Sequence, residues 1–177
     1  MKVEKLLREL SKVTEYRTLK KGEFIIRAGQ VQKDIYLLDS GIARGYFLDI
    51  NGKDITDCFI FRRGSTAIGF CQLELDVFSP LSIEMLENGA FYCLPMVNVI
   101  RFKETYHEIL ELYNHLLINS LNEHWKLKRM LIQYTAVQRY QWFLDEYPEL
   151  IERVSNKHIA SFIGITPVTL SCLRKKL

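Results

Sequence analysis

The chain has 177 residues, of which 48% are hydrophobic and 25% charged, a composition typical of one globular domain or of one domain with a small appendage. Charges are spread through the first sixteen residues and no run reaches the roughly 18 apolar residues of a membrane span, so we expect a cytoplasmic protein with no membrane partner. The formal net charge is +3, yet residues 150–177 alone carry +4. This basic end indicates a polyanionic partner.

The four cysteines are scattered along the chain without a CxxC pair. This spacing argues against a zinc ribbon or an iron–sulfur site. We therefore expect reduced thiols, no metal and no cofactor. The four residues are Cys58, Cys71, Cys93 and Cys172.

The first hundred residues divide into a helical and a β-rich part. Residues 1–16 carry apolar side chains at helical spacing and are predicted to form a short amphipathic helix. From residue 17 onward, short β-rich runs alternate with turn signals, which predicts an antiparallel sandwich, roll or barrel. Asn51-Gly52, between two alternating runs, predicts a hairpin with a type I′ turn, in which both residues have positive φ.

A long helix is predicted from about Phe102 to Tyr134, where glycine and proline are absent and apolar residues repeat at alternating spacings of four and three. We expect this heptad seam to pair with the same helix of a second subunit, while a second apolar stripe lies on the β-domain. The alternative is a helix buried within one chain. Thr135 and Ser155 are predicted to cap the two helices that follow. The expected dimer interface comprises Tyr113, Leu117, Ser120, His124, Leu127 and Leu131.

Residues 156–177 have the pattern of a helix-turn-helix. Apolar residues fall on the inner faces of both helices, Ala160 permits their close approach, and Gly164 suits a turn with positive φ. Thr166-Pro167 then predicts the start of the second helix, because threonine is a good N-cap and proline suits the first helical position. The alternative is an ordinary helical hairpin with no role in nucleic-acid binding.

With these segments in view, the chain resembles the cyclic-AMP receptor/Fnr (Crp/Fnr) superfamily of bacterial transcription regulators from about Leu19 onward. The segments LKKGEFIIRAGQ, IYLLDSGIARGYF, NGKDI and FRRGS fall in the order of that family's effector domain, and SIEMLENGAFYCLP resembles the strand pair before its dimerisation helix. The resemblance implies an α+β fold, with an N-terminal antiparallel β-roll like a cyclic-nucleotide-binding jelly roll, a long dimerisation helix and a C-terminal helix-turn-helix. It also implies a homodimer that binds palindromic DNA under the control of a small effector. The predicted domains are residues 1–101, 102–134 and 135–177.

The effector site departs from that of relatives that bind cyclic nucleotides, which place a Gly-Glu pair and an Arg-x-Ala segment around the phosphate. Here Phe70 follows Gly69, and Ser79-Pro80-Leu81 stands about where Arg-x-Ala belongs. Burying a phosphate without its cation is costly, so we expect no binding of cyclic AMP or cyclic GMP. An aromatic or anionic effector stays open, although we favour a pocket filled by the protein's own side chains. The predicted pocket residues are Arg62, Arg63, Gly69, Phe70, Ser79, Leu81 and Glu84.

The second helix of the helix-turn-helix also departs from its relatives, which carry Arg and Glu in its first turn and another Arg one turn later. Pro167, Val168 and Cys172 stand at these positions and cannot make the bidentate contact of an arginine with guanine. Because the sequence stops just after this helix, we expect a winged-helix-like domain without the wing. We predict weak, salt-sensitive DNA binding with an A/T-leaning or shape-based preference. The expected DNA contacts are Thr166, Val168, Thr169, Ser171, Cys172, Arg174, Lys175 and Lys176.

Two other functions compete with a DNA-binding regulator. A metal enzyme is one, because β-rolls of the cupin type hold metals with histidines. All four histidines here lie in predicted helices, so we expect no enzyme. The other is a ligand-sensing or protein-binding dimer whose helix-turn-helix no longer reads DNA specifically.

Overall fold

The computed structural model describes residues 2–67 and 74–175. The chain divides into two compact units, the first comprising residues 1–47 and 58–118 and the second residues 48–57 and 119–177. The helices and strands, in chain order, are α1 (Lys2–Val13), β1 (Glu15–Leu19), β2 (Phe24–Ile26), β3 (Asp34–Ser40), β4 (Ala43–Leu48), β5 (Asp54–Ile60), β6 (Thr66–Ala67), β7 (Ser82–Met85), β8 (Gly89–Pro95), α2 (Met96–Lys103), α3 (His107–Gln133), α4 (Ala136–Glu146), a 3-10 helix (Pro148–Leu150), α5 (Asn156–Phe162) and α6 (Pro167–Arg174).

The first unit is built on a β-roll, which confirms the predicted antiparallel architecture. Within the described residues, one four-stranded sheet has the order β1-β8-β3-β6 and the other the order β2-β7-β4-β5. Ile83 and Met85 of the second sheet pack with Leu38 and Phe91 of the first to form the core of the roll. Each of these side chains is almost fully buried. Burial of this apolar surface is the main force that keeps the two sheets together.

A second apolar cluster joins the helices of the first unit to the roll. Leu6 of α1 packs with Ile35 of β3, with Val99 and Phe102 of α2, and with Tyr106 just before α3. The amphipathic pattern of residues 1–16 is thereby explained, because its apolar stripe lies in this cluster.

The structure divides the helix that we predicted from residue 102 to 134. α2 ends at Lys103 and α3 begins at His107. Between them, the carbonyl of Phe102 accepts hydrogen bonds from the amides of Glu104, Thr105 and Tyr106. The predicted long helix is confirmed, but it begins at His107 and not at about Phe102, and no glycine or proline marks the break before it. The predicted domain bounds stay a prediction.

The hairpin between β4 and β5 is confirmed, but its predicted turn type is not. Asp76 is the one non-glycine residue of the described chain with positive φ, so Asn51 does not adopt the conformation that a type I′ turn requires. Instead the Asp49 carboxylate accepts from the amides of Asn51 and Lys53, and only Gly52 has positive φ (76°). This arrangement matches a type I turn followed by a glycine in the left-handed region.

The second unit contains the end of α3, the helices α4–α6 and the tip of the β4–β5 hairpin (residues 48–57), with its own core. Met130 of α3 is 1% exposed, and Phe143 of α4 is fully buried. The ring of Phe143 stacks on Tyr147 and meets Phe162 of α5 edge-on. Thr135 and Ser155 cap α4 and α5, as predicted.

Candidate nucleic-acid interface

The turn between α5 and α6 has the chemistry that the sequence predicts for a helix-turn-helix. Gly164 has φ of +66°, a conformation that L side chains rarely adopt. The hydroxyl of Thr166 accepts a hydrogen bond from the amide of Thr169 (3.0 Å), which caps α6, and Pro167 occupies the first helical position. The two helices are therefore held at a defined turn.

The guanidinium of Arg139 on α4 fixes that turn against the end of α3. It donates to the carbonyls of Leu131 (2.6 Å) and Tyr134 (3.0 Å), at the end of α3. It also donates to the carbonyls of Ile163 and Gly164 in the turn (3.3 and 3.2 Å). Carbonyls at a helix end lack partners within the helix, so one side chain satisfies groups from two elements. No sequence pattern predicted this role.

The outer face of α6 is open to solvent. Val168 is 73% exposed, and Ser171, Cys172 and Lys175 are also exposed, whereas Leu170 on the inner face is fully buried. This face offers a branched apolar side chain, a hydroxyl, a thiol and one cation. The structure thus places four of the eight residues predicted to contact DNA on one open face.

The two threonines predicted to contact DNA already have partners in the cap. The hydroxyls of Thr166 and Thr169 lie 2.8 Å apart and share a hydrogen bond. Thr166 is exposed, while Thr169 is half-buried. Thr166 is accordingly the better placed of the two for a further contact.

Arg174, which we expected to bind phosphates, is used inside the second unit. Its guanidinium donates to the side chains of Asn156 (2.7 Å) and Tyr140 (3.3 Å) and to the carbonyl of Ile151 (3.1 Å). It also lies 3.5 Å from a Glu152 carboxylate oxygen. Its donors link α6 to α4, α5 and the segment before α5, so the interface loses one predicted cation. Lys176 lies outside the described residues.

α3 carries an exposed apolar row that differs from the predicted seam. Ile118, Leu121, Trp125 and Ile132 are each more than half exposed, and Lys128 completes a spacing of alternating three and four. The ammonium of Lys128 lies 5.1 Å from the centre of the Trp125 ring, at a cation–π distance. These five residues form one stripe along the helix and are called the α3 row below.

The predicted seam is displaced around the helix from the α3 row by one position. Five of its six residues (Tyr113, Leu117, Ser120, Leu127 and Leu131) are half-buried. His124 is exposed, with Nδ1 2.8 Å from the carbonyl of Ser120 and Nε2 3.9 Å from the Asp57 carboxylate. The predicted residues thus face partly toward their own chain, and the α3 row is the more open face.

The arginines of the predicted effector site are engaged at the surface of the first unit. Arg63 is exposed and pairs with Asp39 at 2.9 Å. Arg62 is exposed as well, and its guanidinium lies 5.0 Å from the centre of the Phe61 ring. Gly69 and Phe70 lie outside the described residues.

The other predicted effector residues also have partners within the chain. Ser79 is buried, and its hydroxyl donates to the carbonyl of Leu81 at 2.7 Å. Leu81 is half-buried against the core of the roll. Glu84 accepts from the buried Arg44 at 2.6 Å. At these positions the space is filled by the protein's own groups.

Three of the four cysteines lie in the described part of the chain, and Cys71 lies outside it. Cys58, Cys93 and Cys172 are free thiols, and burial raises the pKa of the Cys93 thiol. Among the described residues, no group of three or more His, Cys, Asp or Glu side chains is placed to hold a metal ion. In the same part of the chain, no helix combines the length and hydropathy needed to cross a membrane.

One contact near the interface was missed entirely from the sequence. The Lys157 ammonium at the start of α5 lies 3.0 Å from the Asp54 carboxylate in the hairpin tip. The two residues are far apart in the chain, and neither belongs to a motif that would have paired them.

Comparison with known proteins identifies the fold. FixK2 from Bradyrhizobium japonicum is similar with a TM-score of 0.82 at 17% identity, over 93% of this chain and 84% of that one. The c-di-GMP-responsive global regulator CLP of Xanthomonas campestris has a TM-score of 0.77 at 14% identity, over 98% and 90%. A transcriptional regulator assigned to the crp/fnr family, from Eubacterium rectale, has a TM-score of 0.76 at 16% identity, over 96% and 80%. No protein-family model and no curated protein matches the sequence. The chain has the fold of the Crp/Fnr superfamily.

The internal role of Arg174 predicts a loss of stability on substitution. Arg174→Met keeps the aliphatic stem but removes the hydrogen-bond donors to Asn156, Tyr140 and Ile151. We therefore expect the free energy of unfolding of the second unit to fall by about 2 kcal/mol. Both tryptophans of the chain, Trp125 and Trp142, lie in this unit, and urea unfolding followed by their fluorescence measures the change.

Lys175→Met is the matched control, since Lys175 is exposed at the end of α6. Its effect should stay within about 0.5 kcal/mol. Equal stabilities of the two variants would contradict a structural role for Arg174.

Proposed function

We propose that this chain is a Crp/Fnr-type transcription regulator that binds DNA as a homodimer in the cytoplasm. The observation that carries the proposal is the open outer face of α6 on a helix-turn-helix whose cap and turn are in place. Such motifs insert the second helix into the major groove, with its first residues toward the bases. Similarity to solved structures of transcription regulators supports the same general kind of function.

The α6 face supports recognition without arginine. Val168 can contact the methyl group of thymine, while Ser171 can donate to or accept from a base edge. Lys175 supplies a cation for a phosphate. With Arg174 engaged internally, few charges remain, and we therefore infer weak, salt-sensitive binding that favours A/T-rich or deformable sites.

Selection from a randomised duplex library, at two salt concentrations and with nothing added to the protein, tests this proposal. We expect enrichment of an inverted repeat whose half-sites are about 34 Å apart, because a two-fold dimer presents two α6 helices to one side of the duplex. Binding that disappears at physiological salt, with no sequence enriched, would contradict it.

A second candidate function is a ligand-sensing or protein-binding dimer in which the helix-turn-helix no longer reads DNA. The internal use of Arg174 favours it, because the outer face of α6 then has no arginine for guanine or phosphate. The open face of α6 favours the regulator, since a structural remnant has no need of it. Absence of any enriched sequence would make this second function the leading one.

For the homodimer we propose the α3 row as the seam. Two-stranded coiled coils require apolar residues at alternating spacings of three and four on an exposed face, and the α3 row has this pattern. The opposite side of the helix, at Met130, is buried within the chain. Lys128 interrupts the apolar row, and such a polar seam residue weakens a coiled coil while it fixes the register.

Trp125→Glu should therefore disrupt the dimer. Trp125 is 59% exposed at the centre of the row, and a charge there would face its own copy across the two-fold axis. We expect the dimer dissociation constant to rise at least about thirtyfold by sedimentation equilibrium, the size of effect that a central interface tryptophan produces.

Val137→Glu on α4 is the matched control, because Val137 is also apolar and 50% exposed but lies off the row. Its dissociation constant should equal that of the unaltered protein. Equal dimerisation of both variants would place the seam elsewhere.

We further propose that cyclic AMP and cyclic GMP do not control this protein. At the position of the expected phosphate-binding arginine, the Ser79 hydroxyl is bonded to Leu81, and Leu81 packs on the core of the roll. A buried phosphate would find no cation from this segment. Calorimetric titration should detect no saturable binding, and a dissociation constant below about 100 μM for either nucleotide would contradict the proposal.

A further inference from the structure

The tip of the β4–β5 hairpin is docked on α5, the first helix of the helix-turn-helix. Both elements belong to the second unit. The Asp54 carboxylate lies 3.0 Å from the Lys157 ammonium, and the backbone amide of Thr56 donates to the Ser161 hydroxyl at 2.9 Å. Lys157 and Ser161 are four residues apart and so lie on one face of α5.

The contact includes buried groups and backbone hydrogen bonds in addition to the pair of charges. Thr56 is only 3% exposed, and the Asp54 side chain is 17% exposed. The Ser161 hydroxyl, which accepts from Thr56, is also within 3.4 Å of the Asp54 carbonyl, to which it can donate. One serine thus meets backbone groups of both Asp54 and Thr56 and aligns Asp54 with Lys157.

The position of Lys157 gives this contact a consequence for DNA binding. In a helix-turn-helix complex the first helix crosses the phosphate backbone, and Lys157 is the second residue of that helix. An aspartate carboxylate and a phosphate oxygen are both anionic acceptors for an ammonium group. While Asp54 holds the ammonium, the attraction of Lys157 for a phosphate is largely neutralised.

We propose that Asp54 is an intramolecular competitor for DNA phosphate, and that the hairpin tip inhibits DNA binding because Lys157 does not neutralise a phosphate while it is paired with Asp54. The inference rests on the proposed function, because it assumes that the helix-turn-helix binds DNA. It adds Lys157 to the DNA-contacting residues and gives the hairpin a regulatory role.

Asp54→Asn tests the proposal on the full chain by fluorescence anisotropy with one fixed duplex across a series of salt concentrations. We expect affinity to rise about two- to fivefold per protomer at low salt, the range that exposed ion pairs allow. The slope of log K against log salt should steepen by about 0.9 per protomer, the value of one regained phosphate contact. Lys157→Gln should have little effect alone and should abolish the gain when combined with Asp54→Asn.

Two further variants separate this mechanism from general effects. Asp145→Asn removes the same charge from α4, where Asp145 is bonded to Gln141, and should give a smaller gain that does not depend on Lys157. Ser161→Ala removes the partner of the Thr56 amide without a change of charge, and it should also steepen the salt slope. Ser161→Ala serves as the test if Asp54→Asn does not fold, as judged by circular dichroism.

Each outcome decides the question. Equal gains for Asp54→Asn and Asp145→Asn, or a gain that survives in the double variant with Lys157→Gln, would overturn the inference and leave the proposed function standing. Absence of DNA binding by the unaltered protein and by every variant, at all salt concentrations, would overturn the proposed function and the inference together. Binding by Asp54→Asn where the unaltered protein binds weakly would support both.

Discussion

The arrangement of the helices in the second unit depends on the guanidinium of Arg139. This group donates to carbonyls at the end of α3 and to carbonyls in the turn between α5 and α6, so it links the candidate dimerisation helix to the candidate DNA-reading motif. An arginine suits this place because its fixed fork of donors can meet several carbonyls at once, whereas a lysine ammonium presents a compact charge. Gly164 completes the arrangement, since a Cβ there would lie 3.0 Å from the Arg139 Nη1 atom.

A second arginine performs a similar task from the other side of the motif. Arg174 links α6 to Tyr140 of α4 and to Asn156 at the start of α5. Both arginines are therefore occupied in holding the helices, which leaves the outer face of α6 with Lys175 as its charge within the described residues. The surface proposed to contact DNA therefore carries few charges. For this reason the pairing of Lys157 with Asp54 has a larger influence on DNA binding.

The features predicted correctly from the sequence are those set by local rules. The caps at Thr135, Ser155 and Thr166 and the turn at Gly164 follow from residue types at fixed spacing. The roll was predicted from alternating runs and turn signals, and the resemblance to Crp/Fnr regulators covered the same order of elements.

The features that were missed depend on contacts between distant parts of the chain. The heptad pattern of α3 predicted a seam and a second apolar stripe, but the α3 row is neither of them, and its exposure depends on packing around Met130 and Leu131, which the pattern does not contain. In the sequence, Arg174 resembles an exposed cation near the end of the chain. Its hydrogen bonds to Asn156 and Ile151 depend on the fold and could not be predicted from the sequence. Likewise Asn51-Gly52 predicts a type I′ turn, yet the Asp49 carboxylate stabilises a longer loop.

In the proposed complex, the second unit contacts DNA through the outer face of α6 and the start of α5. An NMR titration of the ¹⁵N-labelled protein with duplex DNA tests it most directly, because each backbone amide reports its own surroundings. We expect the largest shift changes on residues 166–172 and on Lys157, with little change in the strands of the roll. Changes confined to the roll or to the α3 row, or no changes at all, would contradict it.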